Sequence, residues 1–333
     1  MVTTLLRKSG ATGSTARTVA AHLTENSRLG IHSHGLIRVP QYIKEIGDGL
    51  IDPRARPRAV RSRGAVTWVN GNSCFGSVGG TFAADRAVRL ASRHGVGLVI
   101  ADRLGHTGRL GAYAEAIAAQ RCVAVVFGNA PPRGHFVAPF GGVEGRLPTN
   151  PIAYAIPNGS TPMFADFSTS AQPEGKVRSA RNRGVRMPPG VLQDSRGRPT
   201  DDPHVLYRRP RGTLLPLGGS EFGHKGYALA ILVEAMTTLL AGEKVDDPSR
   251  NEFDLTVLAI ATAPGFERAT AGMARYLRSS RPADQARPVM VPGDPERLAR
   301  RSSTVEVDAP TWKAMKKLAR ELGVESPDPL GAG

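Results

Sequence analysis

Six runs between residues 65 and 261 are rich in apolar and β-branched residues: AVTWVNGN, GVGLVIAD, VAVVFGN, NPIAYAIP, MFADFS and FDLTVLAIA. Runs of this length and composition form half-buried or buried strands. Helical patterns flank the second of them, GGTFAADRAVRLASRHG before it and AYAEAIAAQR after it. The next three follow one another through glycine- and proline-rich loops with no helix between. Alternation that gives way to consecutive strands predicts an α/β chain with a mixed sheet, not a strictly doubly wound one.

Helical patterns also mark the two ends of the chain. Residues 14–30 place Val19, Ala20, Leu23 and Leu29 on one apolar face, and PQYIKEIGDGLI continues as a short amphipathic helix stopped by Gly47 and Gly49. DPRARPRAVRSRG reads as a linker, HKGYALAILVEAMTTLLAG as one long, mostly buried helix, and PTWKAMKKLARELG as a closing amphipathic helix. No run approaches the roughly 20 apolar residues that cross a bilayer, and MVTTLLRKSGATGS lacks the apolar core of a secretion signal, so a cytoplasmic protein is expected. Cys74 and Cys122 lack metal-ligand spacing and read as small buried hydrophobes.

The chain carries 44 Lys+Arg against 29 Asp+Glu, a net charge of +15, which raises the question of nucleic acid. The arginines are scattered over loop-like stretches (Arg54 to Arg63, Arg178 to Arg186, Arg208 to Arg211) without interleaved aromatics or a recognisable reading module. An arginine-rich surface favourable to anionic small ligands is the expectation, with no nucleic acid and no membrane as partner.

Nucleotide signatures are missing: there is no Walker A sequence and no G-x-G-x-x-G after a strand. GHTGRLG, between a strand and a helix, brings glycines to a helix start but with the wrong spacing for a dinucleotide fingerprint. It places His106 at a strand-to-helix turn, where an imidazole suits proton transfer or simply bonds nearby backbone. Thr149 and Asn150 can hold a ligand or cap a turn, and Asp166, Ser168, Thr169 and Ser170 in DFSTS can bind a sugar or phosphate or cap the next helix. GHKGY sets His224 and Lys225 at the start of the long helix, where a lysine opposes the dipole unless an anion is present. PGDPE reads as a capped helix start. In HSHG, His32 and His34 would share a face of a strand, yet no third ligand stands nearby, and Ser33 has neither an elbow motif nor a triad.

Taken together, SHGLIRVPQYIKEIGDGLI, GHTGRLGAYAEA, VAPFGGVEGRLPTNPIAYAIP, DFSTS, EGKVRSARNRGVRMPPG, DDP, LPLGGSEFGHKGYALAILVE and VPGDPE occur in the order found in one family. The chain resembles the malate/L-lactate dehydrogenase family of NAD(P)-dependent oxidoreductases, most of all its hydroxycarboxylate dehydrogenase B branch. The resemblance implies a nicotinamide-binding domain that is not a Rossmann fold, with a mixed, largely antiparallel sheet over residues 63–289. It also implies a helical domain from residues 1–62 and 290–333, and a homodimer. The implied chemistry is hydride transfer between NAD or NADP and the C2 carbon of a small 2-hydroxy or 2-oxo acid, without a metal.

By the same resemblance His106 takes the proton in alcohol oxidation. Ser33, His34, Gly35 and Arg38 lie near nicotinamide and substrate, Arg38 gripping a carboxylate by two points. Asp166 polarises a catalytic group and, with Phe167, Ser168, Thr169 and Ser170, binds cofactor. His34, Gly35, Thr149, Asn150, Gly223, His224, Lys225, Gly293 and Glu296 complete the implied cofactor contacts. Departures from the family pattern stand at His32, Asn70, Cys122, Gln172-Pro173 and Ala263-Pro264, and the N-terminus reads as short. They motivate an alternative, a cofactor-binding family member with little or no turnover.

Overall fold

The computed structural model describes residues 1–159 and 161–326, so the last part of the expected helical domain, 327–333, lies outside the described residues. The chain opens with α1 (Val2–Lys8) and α2 (Gly13–Arg28), where the Thr12 side chain accepts the Thr15 N–H and starts the second helix. A 3₁₀ turn, His32–His34, leads into α3 (Arg38–Gly47). The expected linker proves to be a strand in its second half: β1 (Arg58–Arg63) turns at Gly64 and pairs antiparallel with β2 (Val66–Cys74), Arg63 opposite Val66. Every residue of β1 is exposed, which places its arginines on an outer edge where charge discourages pairing with another chain. A domain boundary between residues 62 and 63 therefore cuts through a strand.

The helix α4 (Gly76–His94) buries Ala83, Ala87, Leu90 and Ala91 and stops at Gly95, which takes the left-handed conformation (φ 79°). There follow β3 (Val96–Leu104), α5 (Gly111–Ala118), β4 (Cys122–Gly128), β5 (Pro151–Ile156) and β6 (Met163–Ser168). No apolar periodicity announces α6 (Glu174–Arg183), which buries only Val177 and Ala180 among charged neighbours. Three short strands come next, β7 (Leu192–Gln193), β8 (Pro199–Thr200) and β9 (Thr213–Leu214). The helix α7 (Gly219–Glu234) runs on as a π-helical turn, Ala235–Leu239. Then come β10 (Phe253–Ala261), α8 (Phe266–Arg278), α9 (Asp294–Ala299) and α10 (Ala309–Glu321).

Two expectations for α7 fail. Gly218, at φ 102°, turns the chain into the helix well before His224, so His224 and Lys225 sit past its first turn and the dipole argument for an anion there lapses. Nor is the helix mostly buried, since it buries Gly223, Gly226, Ala230, Val233 and Glu234 while Ile231 and Leu232 are exposed, as are Leu239 and Leu240 beyond it.

The large sheet has the order β1-β2-β3-β10-β4-β5-β6. Only β2 and β3 run parallel and every other pair is antiparallel, the mixed, largely antiparallel sheet that was expected. Residues of α4 and α5 cover it, Ala83, Ala87, Tyr113 and Ile117 packing on Val99, Val126 and Val257. A second core joins both ends of the chain, Leu5, Leu6, Val19, Leu23, Val39 and Tyr42 with Met315 and Ala319. A third gathers Val137, Val177, Leu192, Leu206 and Leu214 around the small sheet β8-β7-β9 and α6. Among the described residues no helix is long and apolar enough to cross a membrane.

Candidate active site

The GHTGRL turn leaves β3 opposite the start of β10, where Leu104 pairs with Phe253. His106 in that turn is enclosed by rings from three directions. Tyr42 Oη of α3 lies 2.9 Å from His106 Nδ1 and 3.5 Å from its carbonyl oxygen. The His34 ring stacks on it at 5.4 Å between centroids and 15° between planes, and Phe253 meets it edge-on at 5.4 Å. Burial, then the Arg38 charge and the neighbouring His34, hold the His106 imidazolium well below the ordinary histidine range, so the ring is neutral at pH 7. Burial likewise pushes the Tyr42 hydroxyl upward, which keeps its proton in place.

The turn that carries His34 is fixed by polar bonds. Ser33 Oγ is 3.0 Å from His34 Nδ1, and Asn26 Nδ2 donates to the His34 carbonyl at 2.9 Å. Asn26 Oδ1 accepts in turn from Arg109 Nε at 3.0 Å, and Arg109 Nη2 pairs with Glu115 at 2.6 Å in a buried salt bridge. Asn26 and Arg109 therefore tie the His34 turn to the His106 turn. The Arg109 N–H also donates to His22 Nε2 at 3.2 Å, and burial lowers the pKa of His22 to about 4. Gly35 is dictated by packing: a Cβ there would overlap Ser27 Oγ, which accepts the Leu36 N–H.

Arg38 is half committed. Its Nε donates to the Ser33 carbonyl at 2.6 Å and its Nη1 to Gln41 Oε1 at 2.6 Å, so the two-point grip through Nε is closed to a substrate. Its Nη2 has no hydrogen-bond partner among the described residues. His32 is exposed and belongs to a 3₁₀ turn, not a strand, so the shared-face argument for a metal pair does not apply to it. No group of three metal-ligating side chains gathers among the described residues.

The remaining candidates fall into separate groups. Asp166 Oδ2 accepts the Gly111 N–H at 2.8 Å, so it caps the start of α5, an earlier helix and not the next one. Burial pushes its carboxyl upward against the opposing pull of that N–H and of Arg109. Phe167 is exposed, Ser168 Oγ donates to the Ser170 carbonyl at 3.1 Å, Ser170 Oγ to that of Gln172 at 2.8 Å, and the Thr169 N–H to that of Thr149 at 3.0 Å. Asn150, held at φ 40°, donates through Nδ2 to the Ala230 carbonyl and to Glu234. Gly223 and His224 lie against Phe140, and the Lys225 ammonium sits 5.3 Å above the Phe222 ring. Gly293 is pressed against Phe164, and Glu296 lies in the first turn of α9. No hydrogen bond or ring contact joins His224, Lys225 or Glu296 to the imidazole pair among the described residues. Asn70 bonds the Asn72 N–H within its own turn, and Cys122 is buried at the start of β4.

Two polar atoms in this region are buried without a partner among the described residues, Arg109 Nη1 and Asn150 Oδ1. The first lies 2.6 Å from where a Cβ on Gly111 would stand, beside Asp166, so glycine there makes room for the Arg109 guanidinium. The unpaired donor and the unpaired acceptor leave hydrogen-bonding capacity that a polar ligand would satisfy.

A buried imidazole with one ring nitrogen bonded to Tyr42 and a guanidinium nearby is an arrangement suited to proton transfer. The sequence profile described as malate/L-lactate dehydrogenase matches residues 1–316. The chain is 32% identical over 323 residues to an L-lactate dehydrogenase of Cupriavidus necator, covering 93% of this chain and 91% of that one. It is 31% identical over 335 residues to hydroxycarboxylate dehydrogenase B of Escherichia coli, covering 96% and 91%. A solved structure of a putative malate/lactate dehydrogenase from E. coli superposes with a TM-score of 0.88 at 31% identity, over 97% of this chain and 93% of that one. The chain belongs to the malate/L-lactate dehydrogenase family. It is a hydroxy-acid dehydrogenase that works with a nicotinamide cofactor.

Sequence reading missed Tyr42, Phe253, Asn26, His22 and Arg109. Tyr42 alone left a trace, lying one helical turn after Arg38.

Proposed function

We propose that this protein interconverts a small 2-hydroxy acid and its 2-oxo form with His106 as the proton carrier, Arg38 as the carboxylate receptor, and NAD or NADP as cofactor. The observation that carries this reading is the 2.9 Å contact between His106 Nδ1 and Tyr42 Oη. It occupies one ring nitrogen and leaves Nε2 for the substrate. With Nδ1–H donating to Tyr42 and the Tyr42 hydroxyl donating to the His106 carbonyl, Nε2 keeps its lone pair and accepts the hydroxyl proton. Arg38 Nη2 takes one oxygen of the C1 carboxylate, and that negative charge offsets the guanidinium that depresses His106, making it a better base. His34 and Phe253 wall the imidazole and keep water from it.

When bound, the nicotinamide supplies the hydride acceptor and, in reverse, the donor. Asp166 to Ser170, Thr149, Asn150, His34, Gly35, Gly223 to Lys225, Gly293 and Glu296 are the residues proposed to hold it, in keeping with the unpaired Arg109 Nη1 and Asn150 Oδ1. The helical unit made from both chain ends and the sheet unit form two domains in this reading, since His34 and Arg38 come from the first and His106 from the second. A homodimer accounts for the exposed apolar row Phe222, Ile231, Leu232, Leu239 and Leu240. A cytoplasmic location agrees with two free, buried cysteines.

Screening 2-hydroxy and 2-oxo acids with both cofactors by nicotinamide absorbance tests the reading. Turnover of one acid with NAD or NADP is the expected result. Tight cofactor binding with no turnover of any acid would favour the binding-only alternative.

A further inference from the structure

The polar network behind the imidazole pair is completed from the far end of the chain. Arg300 stands just past α9, where its N–H closes the helix on the Glu296 carbonyl. The start of α9 is fixed by Asp294, whose two carboxylate oxygens accept from Arg278 Nε and Nη2 at 3.0 and 2.8 Å. From this anchored helix the Arg300 guanidinium bridges two others: Nε donates to Glu25 Oε1 of α2 at 2.8 Å, and Nη1 lies 2.8 Å from Glu115 Oε1 of α5. The second oxygen of Glu115, Oε2, holds Arg109 Nη2 at 2.6 Å. Arg109 Nε reaches Asn26 Oδ1 at 3.0 Å, and Asn26 Nδ2 reaches the His34 carbonyl at 2.9 Å. An unbroken line of polar contacts therefore runs from Arg300 to the residue whose ring stacks on His106.

Glu115 is the middle of that line. The Arg109 side chain is 3% exposed and that of Glu115 12%, and among the described residues no other carboxylate pairs with Arg109. A carboxylate shared by two guanidiniums keeps one orientation, because each oxygen has its own donor. Without Arg300, Oε1 loses its donor in a mostly buried place, and the carboxylate gains by turning toward water at the expense of its bond to Arg109.

We propose that Arg300 is a positioning residue for the imidazole pair: it fixes the Glu115 carboxylate on Arg109 and, through Asn26, the His34 turn that walls His106. This rests on the reading of His106 as proton carrier given above, and it puts Arg300 in contact with neither substrate nor cofactor. A loosened wall misplaces the imidazole and admits water, which lowers kcat. Cofactor affinity is spared, since Asp294 and Arg278 hold α9 independently of Arg300.

The test measures kcat on the best 2-hydroxy acid and cofactor affinity by fluorescence titration in Arg300→Gln, with melting curves to establish that each variant is folded. A fall in kcat of about tenfold is expected, with cofactor affinity changed less than about twofold. Arg300→Lys, which keeps a charge beside both carboxylates, should recover most of the loss. In the Asn26→Ala background, where the line is already cut, Arg300→Gln should cost less than about twofold more, a coupling that a purely structural role would not show. Should Arg300→Gln not fold, Arg300→Met, which keeps the apolar stem, takes its place in the same comparisons. A folded variant with kcat within about twofold of the unaltered enzyme, no recovery with lysine, or the full loss repeated in Asn26→Ala would overturn the proposal. Unchanged kcat confined to the Arg300 variants leaves the reading of His106 standing, whereas unchanged kcat in His106→Ala defeats that reading and the proposal with it.

Discussion

Tyr42 Oη lies 2.9 Å from His106 Nδ1, joining a helix made early in the chain to a turn 64 residues later. In the proposed mechanism the bond occupies Nδ1 and leaves Nε2 of the imidazole to the substrate. Tyr42→Phe removes that bond and keeps the ring packing against Phe75. The variant should lose about tenfold to a hundredfold in kcat with little change in KM, because the substrate touches His106 and not Tyr42. Equal kcat in the two enzymes would remove Tyr42 from the mechanism.

The pH profile follows from the same enclosure. Burial and the Arg38 charge hold His106 well below its ordinary value of 6.5, so the acid limb of kcat/KM should lie clearly below pH 6.5. Replacing Arg38 with Met removes one depressing charge, and the limb should move toward neutrality even as the rate falls. A limb at or above pH 6.5 in the intact enzyme contradicts this account.

Acid should weaken the fold through its buried histidines. His22, lowered to about 4, and His34, lowered to about 3, are neutral in the folded chain, whereas in the unfolded chain they titrate near 6.5. Between pH 6.5 and 4 the unfolded state binds the more protons at these sites, so their contribution to stability falls on acidification. The slope is up to about 1.4 kcal/mol per pH unit for each histidine. Asp254, raised to about 6, acts with the opposite sign in this window, so the clean measurement is a difference. His22→Gln should lose less melting temperature between pH 7 and pH 5 than the unaltered chain. Equal losses would show that His22 does not contribute.

Asn26 bridges the His34 carbonyl and Arg109 Nε, and Arg109 Nη1 already lacks a partner. Asn26→Ala leaves a second buried N–H of the guanidinium unpaired, which should cost about 2–3 kcal/mol in chemical denaturation. A loss under about 0.5 kcal/mol, the scale of a surface change, would mean that the two turns are not held by this bridge.

Much of this was legible in the residue order, and the failures share a physical cause. Six of the strands (β2 to β6 and β10), α4 and α10 announced themselves through their own apolar pattern, and His106 stood at a strand-to-helix turn where sequence reading placed it. Tyr42 read only as part of an apolar helix face, because its partner is remote in the chain. The capping role offered for DFSTS fell on the wrong helix, since Asp166 caps α5, which precedes it, and not the helix that follows. Arg300 gave no signal, since nothing local shows that it bridges Glu25 and Glu115. The arginines of β1 hid a strand because an exposed edge needs no apolar alternation. What periodicity cannot express is which distant groups tertiary packing sets side by side.

The most direct test of the central claim is the rate of nicotinamide reduction by His106→Ala on the best 2-hydroxy acid, beside a cofactor-binding titration of the same variant. The account predicts a fall in kcat of about a thousandfold with cofactor affinity nearly intact. A variant that turns over within a fewfold of the unaltered enzyme would contradict it.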